Sequence, residues 1–166
     1  METVLDSPEH AIEASTRSAN QGLTTDWAIR MSIDVNADAR RIFHALTVPE
    51  YLEAWIRIPD QAAGSRVAAS EIPNGYRLDY SVQGPASVTI VASYLFRHYR
   101  KMRLFWQSTR SPILAGSLVD FRLRGNFASS ILEIRHAGFA SPDEYAWHRK
   151  LWRGSAKTLA ALLRFA

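Results

Sequence analysis

The stretch IRHAGFASPDEYAWHRKLW, residues 134–152, decides how the rest of the chain is read. Its first part continues an alternating run, SSILEIRH, in which Ser130, Leu132, Ile134 and His136 oppose Ile131, Glu133 and Arg135, the pattern of a strand with one buried face. Its second part opens a helix: Ser141 stands at the N-cap, Pro142 at the first helical position and Glu144 three residues after the cap. Trp152, Ala156, Leu159 and Leu163 then step by four, three and four, which lines one side of a helix running over residues 141–165. About six turns of helix are long enough to cross a whole sheet. The stretch is therefore a seam between a last strand and a long closing helix.

Upstream of that seam, DWAIRMSIDV (26–35) alternates Trp27, Ile29, Met31, Ile33 and Val35 with Ala28, Arg30, Ser32 and Asp34, and reads as a first strand. NADARRIFHALT follows as a short helix with Asn36 as N-cap and Asp38 in its first turn, and VPEYLEAW restarts a second with Pro49 near its beginning. Strand patterns return from residue 64: SRVAASEI, the turn Pro73-Asn74-Gly75, YRLDYSV, a break at Gly84-Pro85, SVTIVASYLF, KMRLFWQS and SLVDFRLR. With SSILEIRH that makes about six strands after the helix pair. Residues 1–25 read as a flexible extension and 26–166 as one domain, a size at which roughly 70% of the unfolded surface is buried.

Composition removes several function classes. There is no cysteine, so disulfides, thiolate metal sites and a cysteine nucleophile are out, as suits a reducing cytoplasm. No apolar run approaches the roughly 18 residues of a membrane span, and the N-terminus has early acidic residues without an apolar signal core. The net charge of +4 permits weak attraction to nucleic acid or anionic membrane. Its one local cluster, RHYRKMR (97–103), reads as a solvated hairpin turn, and no specific nucleic-acid motif is present.

Chemistry is sparse. Glu144 and His148 are neighbours at i and i+4, but zinc takes three or four protein ligands and no third is placed by spacing, so no metal and no cofactor is expected. Glu144 reads as a capping carboxylate and His148 as a helix-surface residue. His136, flanked on its face by Leu132 and Ile134, reads as a core histidine bonded to backbone at the strand end, with an acid/base role as the alternative. Serines lack a nucleophile elbow, and there is no glycine-rich phosphate loop. What remains is aromatic: Tyr80, Tyr94, Trp106 and Phe121 on inward strand faces, Trp55 and Trp152 from the helices. They form either a closed core or the lining of a pocket in which the tyrosine hydroxyls and His136 orient a ligand.

IDVNADARRIFHALTVPEYLEAW and LEIRHAGFASPDEYAWHRKLWRGSAKTLAALL resemble the opening and closing segments of the START-like (Bet v 1-like, SRPBCC) superfamily, in the branch named after the activator of Hsp90 ATPase. The likeness runs from about Asp26 to Leu163 and implies an α+β helix-grip fold, a curved antiparallel sheet wrapped around a long C-terminal helix. It implies binding of a hydrophobic or aromatic small molecule, a lipid or polyketide-like compound, between helix and sheet. The residues expected there are Trp55, Tyr80, Tyr94, Trp106, Phe121, His136 and Trp152; catalytic residues are unassigned. Alternatives implied by the same likeness are a polyketide cyclase/aromatase that moves protons with His136 or a tyrosine, and a chaperone-associated interaction module. The chaperone role comes last, because that activator pairs such a domain with a separate N-terminal one, and about 25 residues precede the first strand here. Exposed strand edges leave room for a homodimer.

Overall fold

The computed structural model describes residues 27–62, 65–82, 87–110 and 116–164. The extension expected over residues 1–25 and the break at Gly84-Pro85 lie outside the described residues. Seven antiparallel strands form one open sheet in the order β1-β7-β6-β5-β4-β3-β2. They are β1 (Ile29–Val35), β2 (Ala68–Ile72), β3 (Gly75–Ser81), β4 (Ser87–His98), β5 (Lys101–Ser108), β6 (Ser117–Gly125) and β7 (Ser130–Ala137). Two short helices, α1 (Ala39–Thr47) and α2 (Pro49–Trp55), follow β1, and α3 (Pro142–Arg164) closes the chain across the sheet. This is the expected α+β helix-grip architecture.

Local chemistry sets the elements. Strands β3 to β7 bury alternate residues, in β4 only as far as Tyr94, so period two translates into a core face and an outer face. Gly75 lets β3 start close to β4, where a Cβ would lie 2.0 Å from the Ala92 carbonyl oxygen. Helix α1 is capped by Asp38, whose Oδ1 accepts from the Arg41 amide at 2.8 Å, and not by Asn36 as the sequence suggests. The Ala37 amide bonds the Val35 carbonyl at 2.8 Å, a tight turn about Asn36, and Asp38 has the extended backbone a cap needs. Val48 ends α1 and begins α2, and Pro49 follows it at the first turn. Ser141 caps α3 by accepting from the Glu144 amide at 3.2 Å.

The edge strands depart from the expected pattern. On β1, Ile29 and Val35 are buried, but Met31 and Ile33 are half-buried and Trp27, ahead of the strand, is 37% exposed. An edge strand is covered from one side only, so the alternation that closes the core elsewhere leaves these residues partly wet. At the other edge β2 begins at Ala68, and the Glu53 carboxylate of α2 accepts from the Ala69 amide at 2.8 Å, which ties that edge to the helix pair. A second tie joins α2 to α3: the Arg57 amide donates to Ser155 Oγ at 2.9 Å, and Ser155 is fully buried. Among the described residues no helix is long and apolar enough to cross a membrane.

Candidate functional site

Under α3 the inner faces of β5, β6 and β7 converge on a knot of rings. Trp106, Phe121 and His136 come from the three strands, Trp147, His148 and Trp152 from the helix, and Phe139 from the connection between them. The His136 and His148 ring centroids are 4.7 Å apart, and Phe139 lies 4.4 Å from one and 5.1 Å from the other. His148 is therefore a core residue, 4% exposed, and not the helix-surface residue the sequence suggests. The helix buries residues in pairs, 147 with 148, 151 with 152 and 155 with 156, so its buried side is broader than one stripe.

The protonation state of both histidines follows from the donors around them. An indole N–H can only donate, so any nitrogen that receives it carries no proton. Trp152 Nε1 donates to His136 Nδ1 at 3.0 Å, and Trp106 Nε1 donates to His148 Nε2 at 3.2 Å. The other nitrogens then carry the protons. His136 Nε2–H donates to Ser117 Oγ at 2.6 Å, whose hydroxyl reaches the Trp106 carbonyl at 3.4 Å, and His148 Nδ1–H donates to the Glu144 carbonyl at 2.8 Å. His136 is thus a core histidine, held by side chains and not by the backbone contact expected for it, and both its nitrogens are engaged. Burial, with the neighbouring His148 adding to it, holds the His136 imidazole well below the usual histidine range. Burial lowers His148 to about 4, opposed by its bond to the Glu144 carbonyl and the Glu144 charge.

The seven residues singled out from the sequence separate into three places. Trp106, Phe121, His136 and Trp152 meet in the ring knot. Trp55 lies fully buried beneath α1, its indole donating to the Ala45 carbonyl at 2.8 Å. Tyr94 sits toward the opposite end of the sheet from Tyr80, edge-on to Tyr76 at 6.2 Å with the Arg97 guanidinium over its ring. Tyr80 has a different neighbour: its ring stacks on Trp147 at 6.2 Å and 19°, and the Arg110 guanidinium covers the Trp147 ring at 4.8 Å.

Buried polar atoms without partners pick out this last place. Among the described residues, Tyr80 Oη and Trp147 Nε1 are both buried with no hydrogen-bond partner, as are Ser130 Oγ and Glu144 Oε1. Tyr80 and Trp147 are adjacent, and each can donate. Burial pushes the Tyr80 hydroxyl up, against the opposing charge of Arg110, so it keeps its proton. Trp147 and Arg110 escaped the sequence reading. Stepping back by four from Leu151 reaches Trp147, and from Trp152 reaches His148, which is the signal that points to Trp147; no comparable spacing points to Arg110. Three cavities of about 550, 530 and 360 Å³ open elsewhere, on the outer face of the sheet and along the seam between β1 and α3; of the seven residues only Phe121 lines one. Among the described residues no three His, Asp or Glu side chains converge as metal ligands would.

No protein-family model matches the chain, and no curated protein does. Solved structures do. Protein CV1439 from Chromobacterium violaceum is 20% identical over 82% of this chain and 96% of its own, with a TM-score of 0.64. CalU16 from Micromonospora echinospora is 19% identical over 82% of this chain and 74% of its own, TM-score 0.57. The Aha1 dimer from Colwellia psychrerythraea is 18% identical over 82% of this chain and 95% of its own, TM-score 0.58. At these identities the likeness is one of fold.

Proposed function

Taking as premise that the chain has the START-like (SRPBCC, Bet v 1-like) helix-grip fold, we propose that it binds a hydrophobic or aromatic small molecule between α3 and the core face of the sheet. The observation that carries the reading is a pair of buried donors without a partner among the described residues, Tyr80 Oη and Trp147 Nε1, on stacked rings with the Arg110 guanidinium over Trp147. A buried donor without an acceptor costs about 1–3 kcal/mol, so native proteins rarely keep two together unless something else satisfies them. A ligand with an acceptor at one end, a carbonyl or carboxylate, would supply the missing partner, and Arg110 would favour a negative charge there. The apolar body of the ligand would lie against the ring knot, with affinity from apolar area removed from water at about 25 cal/mol per Å².

In this reading Tyr80, Trp147 and Arg110 set the ligand's orientation, while Trp106, Phe121, His136 and Trp152 form a fixed floor. The floor's hydrogen bonds leave His136 without an open nitrogen, so the geometry favours binding over proton transfer at that residue. The test uses 1-anilinonaphthalene-8-sulfonate, an aromatic body with an anionic end. The folded protein should bind it with enhanced probe fluorescence, and Tyr80→Phe combined with Trp147→Phe should weaken binding about tenfold, the loss of two modest hydrogen bonds. Equal affinity in parent and double variant, both folded by circular dichroism, would defeat the proposal.

A further inference from the structure

We infer that the face of the sheet turned away from α3 is a docking surface for anionic lipid bilayers, with Phe127 at the β6–β7 turn as its anchor. Residues directly opposite in an antiparallel pair share a face. The register therefore puts Arg30, Arg135, Asp120 and Arg103 in one row across β1, β7, β6 and β5, and Ser32, Glu133, Arg122 and Lys101 in the next. Arg124 extends the same face beside Ile131 and Asp34. Arg30, Lys101, Arg103, Arg122, Arg124 and Arg135 thus stand against Asp34, Asp120 and Glu133. Asp120 holds Arg103 at 2.7 Å and Arg135 at 3.7 Å, and Glu133 holds Arg124. Arg30, Lys101 and Arg122 have no carboxylate partner among the described residues.

Exposed apolar side chains lie along this face and at the turn that ends it. Among the described residues, the four most exposed large hydrophobic residues are Phe127 at 97%, Leu95 at 59%, Phe96 at 51% and Ile131 at 39%. Phe96 pairs with Arg103, so it ends the first cationic row; Leu95 occupies the bulge beside it, and Ile131 sits between Asp34 and Arg124. Phe127 is held out by a tight turn. Gly125 has φ +140°, and Asn126 Oδ1 accepts from the amides of Ala128 at 2.9 Å and Ser129 at 3.1 Å. Single exposed apolar residues need no explanation. Leu95, Phe96 and Ile131 beside the cationic rows, with Phe127 exposed at the turn that ends β6, match the pattern of proteins that lie at a bilayer interface.

A nucleic acid would use the same charge differently. Leu95 and Ile131 have no ring on which a base could stack, and three carboxylates would repel a phosphate chain threaded between the rows. A bilayer responds to the summed charge of the face and accepts aliphatic and aromatic side chains alike. Because this surface is opposite α3, it does not depend on the small-molecule reading.

Co-sedimentation of the full chain with phosphatidylcholine vesicles, with and without phosphatidylserine, tests the inference. Binding is expected only with phosphatidylserine and should weaken as salt is raised. Arg30→Ser with Arg122→Ser should lower partitioning about 25-fold, at about fivefold per cation, and Phe127→Ser at least about tenfold. All three positions are exposed, so far-UV circular dichroism and binding of 1-anilinonaphthalene-8-sulfonate should match the parent, which separates failure here from failure of the cavity proposal. Absence of sedimentation with phosphatidylserine vesicles would overturn the inference, as would variants that sediment like the parent. Binding to single-stranded RNA with the same variant dependence, in place of vesicles, would overturn it in favour of a nucleic-acid face.

Discussion

Acid should destabilise this protein in a window where carboxylates are still silent, because two buried imidazoles each accept an indole proton. Protonating His148 Nε2 would set N–H against the Trp106 N–H, and protonating His136 Nδ1 would do the same against Trp152. The folded state therefore favours the neutral rings, whereas the unfolded chain takes up protons near the ordinary histidine value of 6.5. Between the two values the unfolded state binds more protons, so stability falls as pH falls. With His148 lowered to about 4, linkage gives a loss of about 2 kcal/mol between pH 7 and pH 5 from that residue alone, and His136 adds to it in the same direction. The assay is urea denaturation followed by tryptophan fluorescence at pH 7, 6 and 5, for the parent and for His148→Gln. Glutamine places an amide oxygen within reach of the Trp106 indole and does not titrate, so the variant should be less steep by about 2 kcal/mol over the window. A flat parent profile, or a variant with the parent's slope, would refute the argument.

Three further outcomes follow from single contacts. Trp152→Phe keeps most of the buried ring but leaves His136 Nδ1 without a donor, and should cost about 1–3 kcal/mol in urea denaturation. Asp38→Ala removes the cap on the Arg41 amide and should cost about 1 kcal/mol, whereas Asn36→Ala should cost far less. Gly75→Ala forces a Cβ to within 2.0 Å of the Ala92 carbonyl, so β3 and β4 must separate, and thermal denaturation should show a loss of about 2 kcal/mol or more.

The fold was legible because each strand from β3 to β7 carries its own alternation and α3 carries its own cap. Ser141, Pro142 and Glu144 announce the helix, and Leu132, Ile134 and His136 announce the face it covers. Local signals fail where two candidates compete for one role. Asn36 and Asp38 are both good caps, and the choice between them is made by backbone geometry that composition does not carry. The site was less legible for a related reason. Inward position is set by periodicity, but partnership is set by three-dimensional neighbours: Tyr94 and Tyr80 look alike in sequence, yet one faces Tyr76 and the other a helical tryptophan. His148 is followed by Arg149 and Lys150, which point to a solvated side of the helix, although Leu151 and Trp152 share its buried side. Its burial rests on Trp106 and His136, which lie 42 and 12 positions away in the chain.

The most direct test of the binding account is to follow the indole N–H resonances of the five tryptophans by NMR while 1-anilinonaphthalene-8-sulfonate is added. The account predicts that the Trp147 resonance shifts markedly as its free N–H gains an acceptor, while those of Trp106 and Trp152, already bonded to histidine, keep their positions and their slow exchange. A Trp147 resonance that stays fixed at saturation of the probe, or shifts confined to Trp27 at the surface, would contradict it.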